Sequence, residues 1–263
     1  MLPTPDWQLA ADPARRIGHA VDFHGEVGST NDVAREALPA GEGRAVVADL
    51  QTAGRGRQGR AWVSPPGANL MVSVAFRARL AADAAWQLGF ATALAATVAC
   101  EQWTRASVKW PNDIYSPDGR KLGGILVETA VQDGALQRVV IGLGLNVNWR
   151  NEEMPPEIAD RATSLADLAG APVDRVTVLS RYLAALDAEI AAVEAGTSPV
   201  GRLAALSWLD GRRVRVEVDG LQVEGDVRGI DDDGTLVVAT ADGVHAVTYG
   251  DAVHVDVPAS VAA

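Results

Sequence analysis

The chain has 263 residues and a formal net charge of −11, and 48% of its residues are hydrophobic. That apolar share supplies a core and excludes a disordered chain, while a sequence pI near 4.8 argues against wholesale binding to nucleic acid or to an anionic membrane. The single cysteine, Cys100, allows no intramolecular disulfide and points to a reducing, cytoplasmic setting.

Residues 1–20, with Pro3, Pro5 and Pro13, read as a polar leader without the basic-then-apolar pattern of a secretion signal. "VDFHGEV" then predicts a strand and "STNDVAREAL" a helix, in which Ser29 and Asp32 have the spacing of a capping box. "RAVVADLQ" predicts a second strand, "GRGRQGR" a loop, and "ANLMVSVAFR" a third strand. A helix is expected over about 82–103. Its stretch "AAWQLGFATALAATVAC" is interrupted by Gln87 and two threonines and is short for a membrane span, so it reads as a buried helix. After a strand in "ASVKWP", residues 121–149 predict a β-hairpin turning at Asp133-Gly134, and residues 175–208 read as mostly helical. From Gly211 a new regime of short alternating strands, broken by Asp219-Gly220, Asp233-Gly234 and Asp242-Gly243, suggests a small closed barrel. The expected division is a leader at 1–20, a main domain at 21–208 and a barrel at 211–258.

The loop "GRGRQGR" (54–60) concentrates positive charge in an acidic chain. Gly54, Gly56 and Gly59 satisfy G-x-G-x-x-G, yet Pro65 and Pro66 stand where the required helix would run, and no acidic residue lies between Leu50 and Ala82. A dinucleotide fingerprint is therefore excluded, and no Walker-type phosphate loop occurs. Arg55, Arg57 and Arg60 beside one tryptophan are too few for a nucleic-acid tail. What remains is either a solvated turn or a cationic loop that converges on one small anion. Without an anion its arginines repel one another, so the second reading predicts a mobile loop that closes over its ligand and shields it from water.

Of 23 basic residues only two are lysine, Lys109 and Lys121, in "KWPND" and "RKLGG". A compact ammonium differs chemically from a planar guanidinium, which singles these two positions out. Five of the six asparagines, Asn31, Asn69, Asn112, Asn146 and Asn148, fall in the same group of segments.

"GSTND", "QTAGRGRQGRAW", "SPPGANL", "KWPNDI", "RKLGGILVE" and "IGLGLNVN" occur in this order over about residues 21–150, and with them the chain resembles the biotin protein ligases. The resemblance implies an α+β fold: a class II synthetase-like catalytic domain with a mixed β-sheet flanked by helices, and a small C-terminal SH3-like barrel. It implies two reactions. Biotin is activated by ATP as biotinyl-5′-AMP, then passed to a lysine of a biotin carboxyl carrier domain. It also implies roles. Lys121, Arg57 and Asp113 would be catalytic. Ser29, Thr30, Asn31, Gln51, Arg55, Gly56, Arg57, Lys121, Gly123, Gly124 and Gly142 would hold biotin. Arg57, Arg60, Trp62, Asn69, Lys109, Asn112, Gly144 and Asn146 would hold the nucleotide.

Several of these residues keep a plainer alternative. Ser29 can be a helix cap, Trp62 part of the core, Asp113 a turn former or a Mg²⁺ contact, and the glycines bulges or tight packing points. Mg²⁺ is expected to arrive with ATP and not at a tightly bound protein site. The resemblance is to family members without an N-terminal DNA-binding module, since about 20 residues precede the first motif; no nucleic-acid or membrane partner is expected. Lipoate–protein ligases and octanoyl transferases of the same superfamily, and a non-catalytic nucleotide-binding regulator, are the competing readings. The barrel could guide the carrier, complete the nucleotide site or stabilise the main domain.

Overall fold

Strands β1 (Val21–Val27) and β2 (Ala45–Gln51) run parallel in the computed structural model, because helix α1 (Thr30–Ala37) carries the chain back between them. The structure describes residues 5–218, 221–248, 250 and 252–254. Strand β3 (Leu70–Phe76) pairs antiparallel with β2 and is buried along its whole length. Its alternation splits it between two faces: Leu70, Val72, Val74 and Phe76 enter the main core, whereas Ala75 joins Ala34, Leu38, Val46 and Val140 under α1.

Helix α2 (Trp86–Cys100) is apolar on nearly every side, since it is sandwiched between the sheet and a later helix. Strands β4 (Ser107–Lys109) and β5 (Asp113–Tyr115) form a short hairpin, and β6 (Lys121–Gln132) and β7 (Ala135–Leu145) a long one. Asp133 and Gly134 take φ of 51° and 76° at its turn, the left-handed pair that a type I′ turn demands. The seven strands are ordered β1-β2-β3-β7-β6-β5-β4. One parallel pair in an otherwise antiparallel ladder makes the sheet mixed, as expected.

Short helices α3 (Pro156–Ala159) and α4 (Leu165–Ala169) precede α5 (Arg175–Glu194) and α6 (Val200–Ala204). Asp174 caps α5 by accepting from the backbone N–H groups of Val176 and Thr177. Strands β8 (Arg213–Val218), β9 (Leu221–Ile230), β10 (Leu236–Thr240), β11 (Gly243–Val247) and β12 (Ala252–His254) form an antiparallel sheet ordered β11-β10-β9-β8-β12. No pairing among the described residues joins β11 to β12. Val214, Val216, Val227, Leu236 and Val238 share one continuous core with the main sheet. The Trp110 indole N–H donates to the Gly234 carbonyl at 3.1 Å, which ties the two sheets together beside the site.

Four expectations change. Residues 7–17 are no loose leader: Trp7 and Ile17 are buried, and Trp7 stacks on Phe23 of β1. Ser29 occupies the N-cap of α1 but makes no capping bond, so the predicted capping box does not form; the Asp32 carboxylate is held by arginines instead. The helix expected over 82–103 is α2, preceded by a separate 3-10 turn at 82–84. Asp113, expected as a turn former, opens strand β5 directly after the turn at 110–112 and pairs with Lys109 across it. The Asp219-Gly220 turn and residues 255–258 of the expected barrel lie outside the described residues.

Candidate active site

Where the N-terminus of α1 faces β6 and β7, the loop at 54–60 crosses over the sheet and borders an open cleft. Three of the glycines keep this space available. A Cβ on Gly142 would lie 2.3 Å from Asn31 Oδ1, one on Gly144 2.4 Å from the Trp62 indole, and one on Gly124 3.3 Å from Lys121 Nζ. The two sides of the cleft differ in chemistry.

The inner side is neutral, buried and internally bonded. Gln51 Oε1 accepts from the Thr30 backbone N–H at 2.7 Å and from Thr30 Oγ1 at 3.0 Å. Thr30 Oγ1 also lies 2.7 Å from Ser73 Oγ, which donates to Asn31 Oδ1 at 2.6 Å. Asn31 Nδ2 donates to Glu128 Oε2 at 2.7 Å. Ser29, Thr30 and Asn31 are each 4% exposed and Ser73 is fully buried. A row of amide and hydroxyl groups held this tightly suits an uncharged polar ligand head.

The outer side is cationic. Lys121 Nζ donates to Asp113 Oδ1 at 2.6 Å. Arg57 Nη1 donates to Asn112 Oδ1 at 3.2 Å and to the Gly250 carbonyl of the C-terminal unit at 3.4 Å. Arg60 lines the same space. The loop itself is bridged: Gly56 N–H donates to the Arg60 carbonyl at 2.7 Å, and Arg55 pairs with Ala61. Gln58 at φ 56° and Gly59 at φ 73° turn its tip. Trp62 packs flat against Gly144, and its buried indole N–H has no partner among the described residues. Arg55 behaves differently from the other two arginines, since both of its Nη groups donate to the Asp32 carboxylate at 2.7 Å. That bidentate bond, with a single hydrogen bond from Arg35 Nη1, lowers the Asp32 carboxyl to about 2.

The cleft brings together Ser29, Thr30, Asn31, Gln51, Arg55, Gly56, Arg57, Arg60, Trp62, Asn112, Asp113, Lys121, Gly124, Gly142 and Gly144. Four expected residues lie elsewhere. Gly123 points away from the cleft, where a Cβ would meet the Gly144 carbonyl at 2.7 Å and the Leu145 side chain at 3.0 Å. Asn69 and Asn146 are buried connectors: Asn69 Nδ2 donates to Asn146 Oδ1, Asn69 Oδ1 accepts from Val147 N–H, and Asn146 Nδ2 donates to the Thr163 carbonyl. Their amides are thus occupied in fastening the segment after β7. Lys109 lies in an adjoining hollow shared with Arg60, Asn112, Asp113 and Lys121, where its ammonium donates to Tyr115 Oη at 3.2 Å.

The sequence reading missed Ser73 and Glu128 and gave Asp32 only a capping role. A lone serine in the apolar run "LMVSVAF" was the available signal for Ser73. Among the described residues no group of three or more His, Cys, Asp or Glu side chains could hold a metal, and one Asp113 oxygen is already taken by Lys121. Burial pushes the Cys100 thiol up to about 12, so it is no nucleophile.

Residues 27–146 match the model of the biotin/lipoate A/B protein ligase family, and residues 211–255 that of the biotin protein ligase C terminal domain. A biotin–acetyl-CoA-carboxylase ligase of Mycobacterium tuberculosis is 38% identical over 208 residues, covering 75% of this chain and 74% of that relative. The bifunctional ligase/repressor BirA of Bacillus subtilis is 37% identical over 171 residues, or 64% of this chain. The match spans about half, 52%, of that longer relative. Among solved structures, the biotin protein ligase from Aquifex aeolicus in complex with biotin and ATP superposes with a TM-score of 0.76 at 30% identity, covering 89% of this chain and 98% of that one.

Proposed function

Because the chain belongs to the biotin protein ligase family, we propose that it activates biotin with ATP and transfers it to a lysine of a carboxylase carrier domain. The observation that carries this reading is the two-sided cleft itself. A buried row of neutral hydrogen-bonding groups, Thr30, Asn31, Gln51 and Ser73, adjoins a cationic mouth of Lys121, Arg57 and Arg60. Biotin has the same polarity: a neutral ureido head at one end and a carboxylate at the other. A lipoyl chain has no polar head that would use the inner row.

In the first step a biotin carboxylate oxygen bonds to the α-phosphorus of ATP. The bond from that phosphorus to the bridging oxygen breaks, and pyrophosphate leaves with the electron pair. Two anions must meet, so fixed positive charge at their junction is the main requirement. Lys121 supplies it from the strand that also carries Gly124, with Asp113 orienting its ammonium until the substrates arrive. Arg57 and Arg60 extend the positive field over the triphosphate. Trp62 forms the wall beside Gly144 and offers its indole N–H to an acceptor. The adenosine would reach past Asn112 into the hollow with Lys109.

In the second step a carrier lysine amine attacks the acyl carbon, the bond to the phosphate oxygen breaks, and AMP leaves as the amine loses a proton. Until then the loop at 54–60 keeps water from the mixed anhydride. Mg²⁺ would arrive with ATP and offset the charge of its phosphates, with Asp113 the acidic side chain nearest the junction to contact it.

ATP–pyrophosphate exchange on the purified protein, with biotin, with lipoate or with neither, tests this directly. Exchange only with biotin is the expected outcome. Exchange with lipoate would transfer the reading to the other branch of the superfamily, and exchange with neither would remove adenylate formation.

A further inference from the structure

Arg55, Asp32, Arg35 and Glu128 close a ring of alternating charge between three elements. Arg55, at the base of the loop, donates both Nη groups to Asp32 on the first turn of α1. Asp32 Oδ1 also accepts from Arg35 Nη1 at 2.6 Å. Arg35 Nη2 donates to Glu128 Oε2 on β6 at 2.9 Å, and Glu128 Oε1 lies 3.8 Å from Arg55 Nη2. Two guanidiniums and two carboxylates sum to no net charge, so Arg55 adds little field to the mouth of the cleft. The ring also reaches a cleft residue, because Glu128 Oε2 accepts a hydrogen bond from Asn31 Nδ2.

We propose that Asp32 is a positioning residue: by clamping Arg55 it seats the base of the 54–60 loop over the cleft and so sets how long the enzyme retains its adenylate. The proposal rests on the adenylate-forming reading above. Each charged side chain of the ring is about one third exposed, so any single exposed pair would contribute little to stability. The bidentate geometry and the closed circuit make this case different, because they fix the direction in which the loop leaves β2. Asp32 is suited to the task by its place at the N-terminal turn of α1, next to Thr30 and Asn31. The residue that holds the loop is thereby rigidly coupled to those facing the ligand head.

The test is the release rate of biotinyl-AMP from enzyme loaded with biotin and ATP, measured for wild type, Asp32→Asn, Arg55→Gln and the double variant. Each single change should speed release about tenfold, and the double variant should be no faster than either single one, as expected for two residues acting as one unit. Asp32→Glu, which keeps the charge, should recover part of the retention. Thermal unfolding of each variant monitors the fold, and a loss of stability without faster release would overturn the proposal. Equal release from wild type and Asp32→Asn, or additive effects in the double variant, would overturn it too. A wild type that forms no adenylate defeats the functional reading first, and the positioning role with it.

Discussion

The inner and outer sides of the cleft solve opposite problems. The inner row, from Gln51 through Thr30 and Ser73 to Asn31, is buried and bonded within the protein before any ligand arrives. The outer side sets Lys121 and Arg57 in partly exposed bonds that an incoming anion would have to replace. On the proposed function, the difference assigns specificity to the one side and catalysis to the other. A preorganised neutral row discriminates by presenting its remaining donors and acceptors in one fixed geometry that the wrong head cannot match. Exposed cations discriminate poorly but act strongly once water is excluded.

The largest expected effect strikes the outer side. Lys121→Ala should slow biotin-dependent pyrophosphate exchange by about 100- to 1000-fold, the usual cost of removing one preorganised charge-stabilising group. Lys121→Arg should not restore it, because a planar fork cannot take the place of a point charge. Wild-type exchange in either variant would break the assignment.

The next effect belongs to the inner side. Gly142→Ala puts a methyl group 2.3 Å from Asn31 Oδ1. Asn31 must move and lose its bonds to Ser73 and Glu128, so the KM for biotin should rise more than about tenfold while the KM for ATP stays near wild type. Equal rises in both constants would erase the distinction between the two sides.

A third prediction separates site from scaffold. Asn69→Ala removes an amide that bonds Asn146 and the Val147 backbone, leaving buried partners unsatisfied. Stability should fall by about 1–3 kcal/mol in chemical denaturation, with nucleotide affinity unaltered. The smallest effect is a titration. The Arg55 hydrogen bonds, then the single one from Arg35, hold the Asp32 carboxyl at about 2 instead of 3.8. A depressed carboxyl contributes stability that is present above the unfolded value and is lost as pH falls from near 4 through about 2. Carboxyl NMR should report that value, and in Arg55→Gln it should move up toward the ordinary one.

Much of the fold was legible because local chemistry left few choices. Asp133-Gly134 between alternating strands forces a tight hairpin, and "LMVSVAF" can only be a strand covered on both faces. Strand β5 was hidden in a segment that opens Pro-Asn-Asp and resembles a turn, and it exists through pairing with β4 and β6. In the site, the period of two along β6 already separates Gly123 from Gly124, so the misplacement of Gly123 was avoidable. Asn69 and Asn146 were not avoidable, since nothing local tells an asparagine that reads a ligand from one that fastens a loop.

The sequence by itself determined most of the residues that line the cleft, the hairpins that carry its glycines and the family to which the chain belongs. Those follow from turn chemistry, strand period and motif order, all short-range properties of the chain. Only the tertiary structure decided which charges cancel. Arg55 and Asp32 are 23 positions apart and Arg35 and Glu128 93 apart, and a guanidinium's role depends on which carboxylate the fold brings within hydrogen-bond reach.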